Sequence, residues 1–359
     1  MGVRPRIPVA VLGATGTVGQ RFITLLAEHP WFEIRALTAS DRSTGKHYKD
    51  AVQWMQESPL PSEVASMVLL PTQPDSADGC RLAFSALASS VATEAEIALA
   101  SAGILVVSNA GSHRMDPDVP LVVPEVNPDH LELATLQKFD RGAILTNPNC
   151  STIGLVLPLK PLDDLFGVEA VHVVTMQALS GAGMPGVPGM RSLDNVVPWI
   201  PREEEKVEQE TCKILGRLTD TGIDAAPVRV SAACNRVPVL DGHLACVSVS
   251  LRKTPPRAEL EAAWRSFRGE PQTLALPTAP PLPVIVLEGD DVPQPRLHRG
   301  LGGGMAASVG RLRSCPLLDF RFVTLSHNTL RGAAGGALLL AELAVRKGIA
   351  GVIGADPRA

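Results

Sequence analysis

Ile7-Pro-Val-Ala-Val-Leu12-Gly13-Ala-Thr-Gly16-Thr-Val-Gly19 is the stretch that decides the fold class. Six mostly apolar residues run into glycine, and a helical pattern follows from Val18 to Ala27. That order predicts strand, tight turn and helix. Glycines in such a turn let backbone N–H groups approach a pyrophosphate, and the helix N-terminus adds partial positive charge. The spacing is G-x-x-G-x-x-G, a variant of the commoner G-x-G-x-x-G, so its place in a βαβ pattern carries more weight than the motif itself. Gly13, Thr15, Gly16, Thr17, Val18 and Gly19 are the expected contacts of a dinucleotide.

Working outward, Phe32–Leu37, Leu82–Ser85, Leu105–Ser108 and Ala143–Thr146 read as further strands, with a helix over Ala92–Ala102. Strands that are continuously apolar and alternate with helices predict a parallel, doubly wound sheet of Rossmann type. A helix follows Asn147-Pro-Asn-Cys150, with Pro158 and Pro161 limiting its regular part. Beyond Gly167 the texture changes. Val168–Ala178, Val228–Ala233, Leu244–Leu251 and Leu318–Leu325 read as strands of a mixed or antiparallel sheet. Glu203–Leu215 is a charged helix, Thr254-Pro-Pro-Arg257 starts another with Thr254 as a plausible cap, and 271–283 read as a surface connection. Arg331–Lys347 is a terminal helix able to pack back on the first domain. The expected organisation is α/β: a nucleotide domain of 1–149 plus 328–359, and a second, α+β catalytic and dimerisation domain of 150–327.

Composition limits the partners. The net charge of −4 offers no concentrated positive field for nucleic acid or an anionic membrane. Aromatic residues are only 4% of the chain, too few for a base-stacking platform. No apolar run is long enough to span a bilayer and no signal-peptide core is evident, so a cytoplasmic enzyme is the default expectation. The six cysteines show no C-x-x-C pair and no metal-like cluster, which argues against disulfides and against a bound metal.

The second predicted strand ends in Thr38-Ala-Ser40-Asp-Arg42-Ser43. A ribose 2′-phosphate favours Arg and hydroxyl donors here, whereas NAD usually meets an acid. Ser40, Arg42 and Ser43 point to NADP, with Asp41 the dissenting residue.

Cys150 follows a strand and opens a helix, where free N–H groups are expected to lower a thiol pKa and favour attack on a carbonyl. Asn149 beside it is placed to hold an oxyanion or the substrate. His243, entering a strand after Gly242, is the candidate proton carrier. Glu210 and Lys213 lie three apart on one helix, a spacing that by itself suits an ordinary solvent-side ion pair.

The chain also resembles the aspartate-semialdehyde dehydrogenase family, in its fungal and archaeal branch. The resemblance rests on GATGTVGQRF, LVVPEVNPDHL, NPNCSTIGLVLPLKPL, QALSGAGMPGV, LDNVVPWI, EEEK with ETCKILG, CNRVPVLDGH and NTLRGAAGG, in family order. It implies that Cys150 is the nucleophile, His243 the acid/base and Gln177 a residue that orients the acyl group. It further implies that Glu210 meets the substrate amine, Arg236 its carboxylate, and Arg114 and Lys213 the phosphate. Asn109, Ser180, Gly183 and Asn328 match positions that line the cofactor site. The implied reaction is reversible, NADPH-linked reduction of 4-phospho-L-aspartate to the semialdehyde through a thioacyl enzyme, in lysine, threonine and methionine biosynthesis. The partners implied are this small substrate and phosphate, in a homodimer or homotetramer.

Two positions depart from the pattern. Leu244-Ala245 replaces the usual Thr-Glu after the histidine, and Met184 stands where an aromatic residue is frequent. Rival readings are a reductase of malonyl-CoA type, a more distant N-acetyl-glutamyl-phosphate reductase, and a dinucleotide-binding regulator without catalysis. Glu210 favours an aspartyl substrate over the first, and the intact Cys150, His243, Gln177 and Arg236 disfavour the last.

Overall fold

The computed structural model describes residues 6–351; the ends of the expected nucleotide domain, 1–5 and 352–359, lie outside them. In chain order the main elements of the first half are β1 (Ile7–Leu12), α1 (Thr17–Leu26), β2 (Phe32–Leu37), β3 (Leu82–Ser85), α2 (Ser89–Ser101), β4 (Leu105–Ser108) and β5 (Ala143–Thr146). These five strands form one parallel sheet in the order β2-β1-β3-β4-β5. The strand order reverses between β1 and β3, so the ligand crevice of such a sheet opens beyond their carboxyl ends. The glycine turn sits there. Gly13 has φ +73°, and a Cβ on it would lie 2.9 Å from the Ala86 carbonyl that follows β3. A Cβ on Gly19 would collide with the Gly13 carbonyl, so α1 can pack tightly on the loop only without one.

The second half contains α3 (Cys150–Phe166), β6 (Val168–Gln177), α4 (Glu203–Ile214), the hairpin β7 (Arg217–Thr219) and β8 (Gly222–Asp224), β9 (Arg229–Arg236), β10 (His243–Leu251), α5 (Arg257–Ser266), β11 (Val284–Val286), β12 (Ala307–Ser314), β13 (Phe320–Ser326) and α6 (Gly335–Arg346). Six strands form a mixed sheet in the order β11-β12-β13-β10-β6-β9, antiparallel at its centre. Its inner face packs on α3 and α5 through Leu155, Leu159, Val171, Val247, Trp264 and Phe322. Helix α6 returns to the first sheet, where Leu338, Leu339, Leu340 and Leu343 are all at 1% exposure or less beside Val9, Phe84 and Val107. Burial of each such leucine contributes about 1.5–3 kcal/mol, which ties the chain's end to its beginning.

Four details differ from the sequence reading. Helix α3 runs through both prolines to Phe166: Pro158 cannot donate to Gly154, but the Thr324 hydroxyl donates to that carbonyl at 3.2 Å instead. Thr254 does not cap α5; its hydroxyl donates to Asp319 at 3.2 Å. The stretch 271–283 is not only surface, since Leu276 is buried in the first core and the Thr278 backbone N–H donates to Glu342 of α6 at 3.1 Å. Strand β12 escaped the reading because Arg311, with φ +55°, interrupts it at a register shift.

Candidate active site

The end of β5 and the start of α3 present Cys150. Asn149 is the helix cap, its side-chain oxygen accepting from the N–H groups of Ser151 (2.8 Å) and Thr152 (3.3 Å). Its amide group donates to Glu203 at 2.9 Å. Two of the N–H groups expected to favour a thiolate are therefore already occupied. Burial and the nearby Glu203 carboxylate push the Cys150 thiol up to about 12, while Arg114 and Arg236 pull against them. The expectation of a depressed thiol pKa is corrected accordingly, because desolvation outweighs the pull of the nearby arginines.

The Cys150 sulfur lies 3.2 Å from His243 Nε2. Cys150 and His243 are 93 residues apart, and the fold brings them into contact by placing the first residue of β10 under the first turn of α3. On its other side the imidazole is met by a backbone group, the Ala178 N–H donating to Nδ1 at 3.0 Å. The Ala178 carbonyl in turn accepts from Arg236 Nη1 at 2.7 Å. Burial, with the positive fields of Arg236 and His327, pushes His243 down to about 3, so the ring is neutral. The loop after Ala178 covers both side chains closely: a Cβ on Gly181 would lie 2.8 Å from Arg236 Nη1 and 3.1 Å from His243 Nε2.

A second chain of contacts runs from the cysteine to the loop after β4. Glu210 accepts from the Asn149 N–H (2.6 Å) and from Arg114 Nη1 (2.9 Å), and Arg114 Nη2 donates to the Asn109 carbonyl at 2.7 Å. Glu210, Lys213 and Glu203 are buried, so α4 turns charged side chains inward and the solvent-side ion pair is overturned. Lys213, placed by resemblance on the phosphate, donates to the carbonyls of Arg114 (2.8 Å), Asp116 (2.8 Å) and Val119 (3.0 Å). Those three bonds use all the protons of an ammonium. Here Lys213 braces the segment that carries Arg114. Gln177 is buried, with its amide on the Thr175 hydroxyl at 3.3 Å.

The cofactor candidates fall in two groups. Asn109, just after β4, reaches the ends of β3 and β5 by donating to the Ser85 carbonyl (3.3 Å) and accepting from Asn147 (2.9 Å). Asn328 donates to Ser180 Oγ and accepts from the Gly242 N–H, both at 2.8 Å, and so ties the 179–182 turn to the entry of His243. Gly183 follows with φ +66° and open space about it. At the other end Ser40, Arg42 and Ser43 stand in a turn past β2, where the Ser40 carbonyl accepts the Ser43 N–H at 2.8 Å and Arg42 is exposed. Between the groups, α1 begins at Gly16 with no side-chain cap, leaving the N–H groups of its first turn open to an anion. The residues present therefore fit a dinucleotide. Among the described residues no cluster suited to a metal ion occurs.

Several residues of the site were invisible in the sequence. Ala178 acts only through its backbone. Arg21, on α1, donates to the Thr329 hydroxyl at 3.2 Å and faces Asp241 at 3.8 Å, joining the glycine-loop helix to the turn before His243. Glu125 and Arg331 form a bidentate pair, at 2.7 and 2.5 Å and essentially unexposed, that anchors the turn into α6. Ala245, the departure after His243, faces inward beside Thr175 and Thr324, within the core rather than in contact with Cys150.

The chain matches the family model described as "Semialdehyde dehydrogenase, NAD binding domain" over residues 8–134, and "Semialdehyde dehydrogenase, dimerisation domain" over 159–331. It is 48% identical to the aspartate-semialdehyde dehydrogenase of Archaeoglobus fulgidus, covering 96% of this chain and 99% of that one. Identity to the enzyme of the same name in Schizosaccharomyces pombe is also 48%, over 95% and 98% of the two chains. Among solved structures it is similar to aspartate semialdehyde dehydrogenase with NADP from Candida albicans, with TM-score 0.90, 44% identity, and coverage of 96% and 99%.

Proposed function

The chain belongs to the aspartate-semialdehyde dehydrogenase family, and from that membership and its site we propose a phosphorylating, NADP-dependent aldehyde dehydrogenase acting through Cys150. It interconverts 4-phospho-L-aspartate and L-aspartate 4-semialdehyde in lysine, threonine and methionine biosynthesis. The observation that carries the mechanism is the 3.2 Å contact of Cys150 Sγ with His243 Nε2 at the start of α3. Bound NADPH supplies the hydride of the reductive direction.

Cys150 forms the thioester and releases it. His243 partners the sulfur, Gln177 steadies the acyl group, and Arg236 receives the substrate carboxylate with its guanidinium fork. Glu210 receives the substrate amine, and Arg114, released in part from Glu210, receives the phosphate. Lys213 holds the Arg114 segment in place. Asn149 fixes the nucleophile's turn by capping it. Gly13 to Gly19 cradle the pyrophosphate, Ser40, Arg42 and Ser43 take the 2′-phosphate, and Asn109, Ser180, Gly183 and Asn328 line the nicotinamide side.

A second copy of the chain covers the outer face of the mixed sheet, where Val174, Met176 and Leu244 are half-buried and His172 and Cys246 exposed. The six free cysteines suit a reducing, cytoplasmic setting. No helix among the described residues is long and apolar enough to cross a membrane.

The test is rapid-quench mass spectrometry of the wild type together with Cys150→Ser. An acyl adduct on Cys150 is expected. The serine variant should lose essentially all turnover with cofactor binding intact, because an alcohol lacks the thiol's nucleophilicity. An adduct on another cysteine, or robust turnover in the variant, overturns the assignment.

A further inference from the structure

A turn that cradles a pyrophosphate has to present N–H groups and hide carbonyl oxygens, whose partial negative charge repels a phosphate. In the turn before α1 the first three carbonyls are all taken up from within the chain. The Gly13 carbonyl accepts the Gly16 N–H at 3.1 Å, the Ala14 carbonyl accepts the Tyr48 hydroxyl at 2.9 Å, and the Thr15 carbonyl accepts Nε2 of Gln20 at 3.0 Å. Tyr48 and Ala14 are at 0% exposure, so bulk water does not compete for that second bond. A trans peptide points its N–H opposite to its C=O. With the Ala14 carbonyl drawn onto Tyr48, the Thr15 N–H of the same peptide faces the other way, and it has no acceptor among the described residues. The tyrosine is itself fixed. It opens the single helical turn Tyr48–Ala51, its backbone N–H donates to the Met67 carbonyl at 2.8 Å, and its ring meets Trp54 edge-on at 6.5 Å. Burial holds the phenol well above its ordinary pKa, so it stays a donor.

We propose that Tyr48 is a positioning residue for the cofactor's pyrophosphate: by holding the Ala14 carbonyl out of the turn, it aims the Thr15 N–H at the phosphate. Gln20 keeps the Thr15 carbonyl away in the same manner. This rests on the reading of Gly13 to Gly19 as the pyrophosphate cradle. Being fully buried, Tyr48 does not touch the cofactor and acts only through the Ala14 peptide. The segment that carries it, between β2 and β3, also carries Ser40, Arg42 and Ser43. One excursion of the chain thus serves both phosphate groups, in different ways. Arg42 addresses the 2′-phosphate, which only NADP has, whereas Tyr48 addresses the pyrophosphate that NADP and NAD share. Hydrogen bonds through one peptide reinforce each other. When the Thr15 N–H donates to a phosphate oxygen, the Ala14 carbonyl becomes a stronger acceptor and its bond from Tyr48 tightens.

The experiment has two arms. In the first, Tyr48→Phe, which keeps the ring and removes the hydroxyl, is titrated calorimetrically with NADP, NAD and adenosine 2′-monophosphate, which has the 2′-phosphate but no pyrophosphate. Affinity for NADP and for NAD should fall by the same factor, about tenfold, the effect of one lost hydrogen bond. Affinity for adenosine 2′-monophosphate should be unchanged, and in steady state the cofactor KM should rise with kcat unchanged. Undiminished NADP binding, or an equal loss for all three ligands, overturns the proposal, the latter because it marks a tyrosine that merely holds the domain together. The second arm uses wild-type protein and so decides the matter even if the phenylalanine variant does not fold. The chain has one tyrosine, so ring-labelled tyrosine gives a single Cζ resonance. It should move on saturation with NADP and stay still with adenosine 2′-monophosphate; a signal that NADP leaves unmoved overturns the proposal. Gly16→Asp tests the cradle itself. Gly16 has φ −76°, open to any residue, and an aspartate there occupies the free N–H groups of α1 and repels a pyrophosphate. Wild-type NADP affinity in Gly16→Asp overturns the cradle and the proposal together, whereas weakened binding there with none in Tyr48→Phe overturns the proposal alone.

Discussion

Glu210 accepts Nη1 of Arg114 at 2.9 Å while its other oxygen accepts the backbone N–H of Asn149, the residue before the nucleophile. One buried carboxylate thus joins the loop after β4 to the start of α3. Arg114 and Glu210, proposed above to receive opposite ends of the substrate, satisfy each other here. On that proposal, substrate entry exchanges this pair for new partners.

Removal of one partner from a buried ion pair leaves the other charge uncompensated, at a cost of about 3–5 kcal/mol. Glu210→Ala should be destabilised on that scale in urea denaturation without ligand, and Glu210→Gln, which keeps acceptor and volume, by clearly less. If Glu210→Ala unfolds at the wild-type midpoint, the pair is not structural.

Because the resting Cys150 thiol is pushed up to about 12, its thiolate fraction grows with pH over the whole neutral and mildly alkaline range. Iodoacetamide alkylation of Cys150, followed by peptide mass spectrometry, should therefore accelerate about tenfold per pH unit between roughly pH 7 and 10. A rate that levels off near neutrality would mean that the thiolate already predominates at rest.

Arg42 is exposed beside the expected ribose site. A charge-assisted bond to a 2′-phosphate contributes about 1.5–3 kcal/mol. Arg42→Ala should weaken NADP binding by about tenfold or more and leave NAD nearly unchanged in calorimetric titration. Equal losses for both cofactors would assign Arg42 a structural role only.

Arg236 touches the Ala178 carbonyl, whose own N–H holds His243. Lysine keeps the charge but cannot reproduce the guanidinium fork. Arg236→Lys should lower kcat/KM for the semialdehyde by about 10²-fold or more through misplacement of the reacting carbon, with NADP affinity preserved. Wild-type kinetics across semialdehyde concentrations would move the carboxylate contact elsewhere.

Much of the fold was legible because parallel, doubly wound sheets leave continuous apolar strands in the sequence, as in Leu82–Ser85 and Leu105–Ser108. The mixed sheet was less so. β12 carries Arg311 and Arg313 among its apolar residues and lost its strand signature. The inward turn of α4 was also hidden, since Glu203, Glu210 and Lys213 look like solvent residues until their buried partners are known.

By itself the sequence determined the glycine turn between β1 and α1 and the family to which the chain belongs, and it pointed to Cys150 and His243 as the candidate chemical groups. Each is a matter of residue type and local order, which a linear pattern records. Only the tertiary structure decided how those groups are tuned. Asn149 fills the helix end expected to activate the thiol, Lys213 is turned onto three carbonyls, and the Ala178 N–H donates to Nδ1 of His243. Desolvation and hydrogen-bond direction depend on neighbours tens of residues away, and a backbone donor has no side-chain identity for a sequence to display.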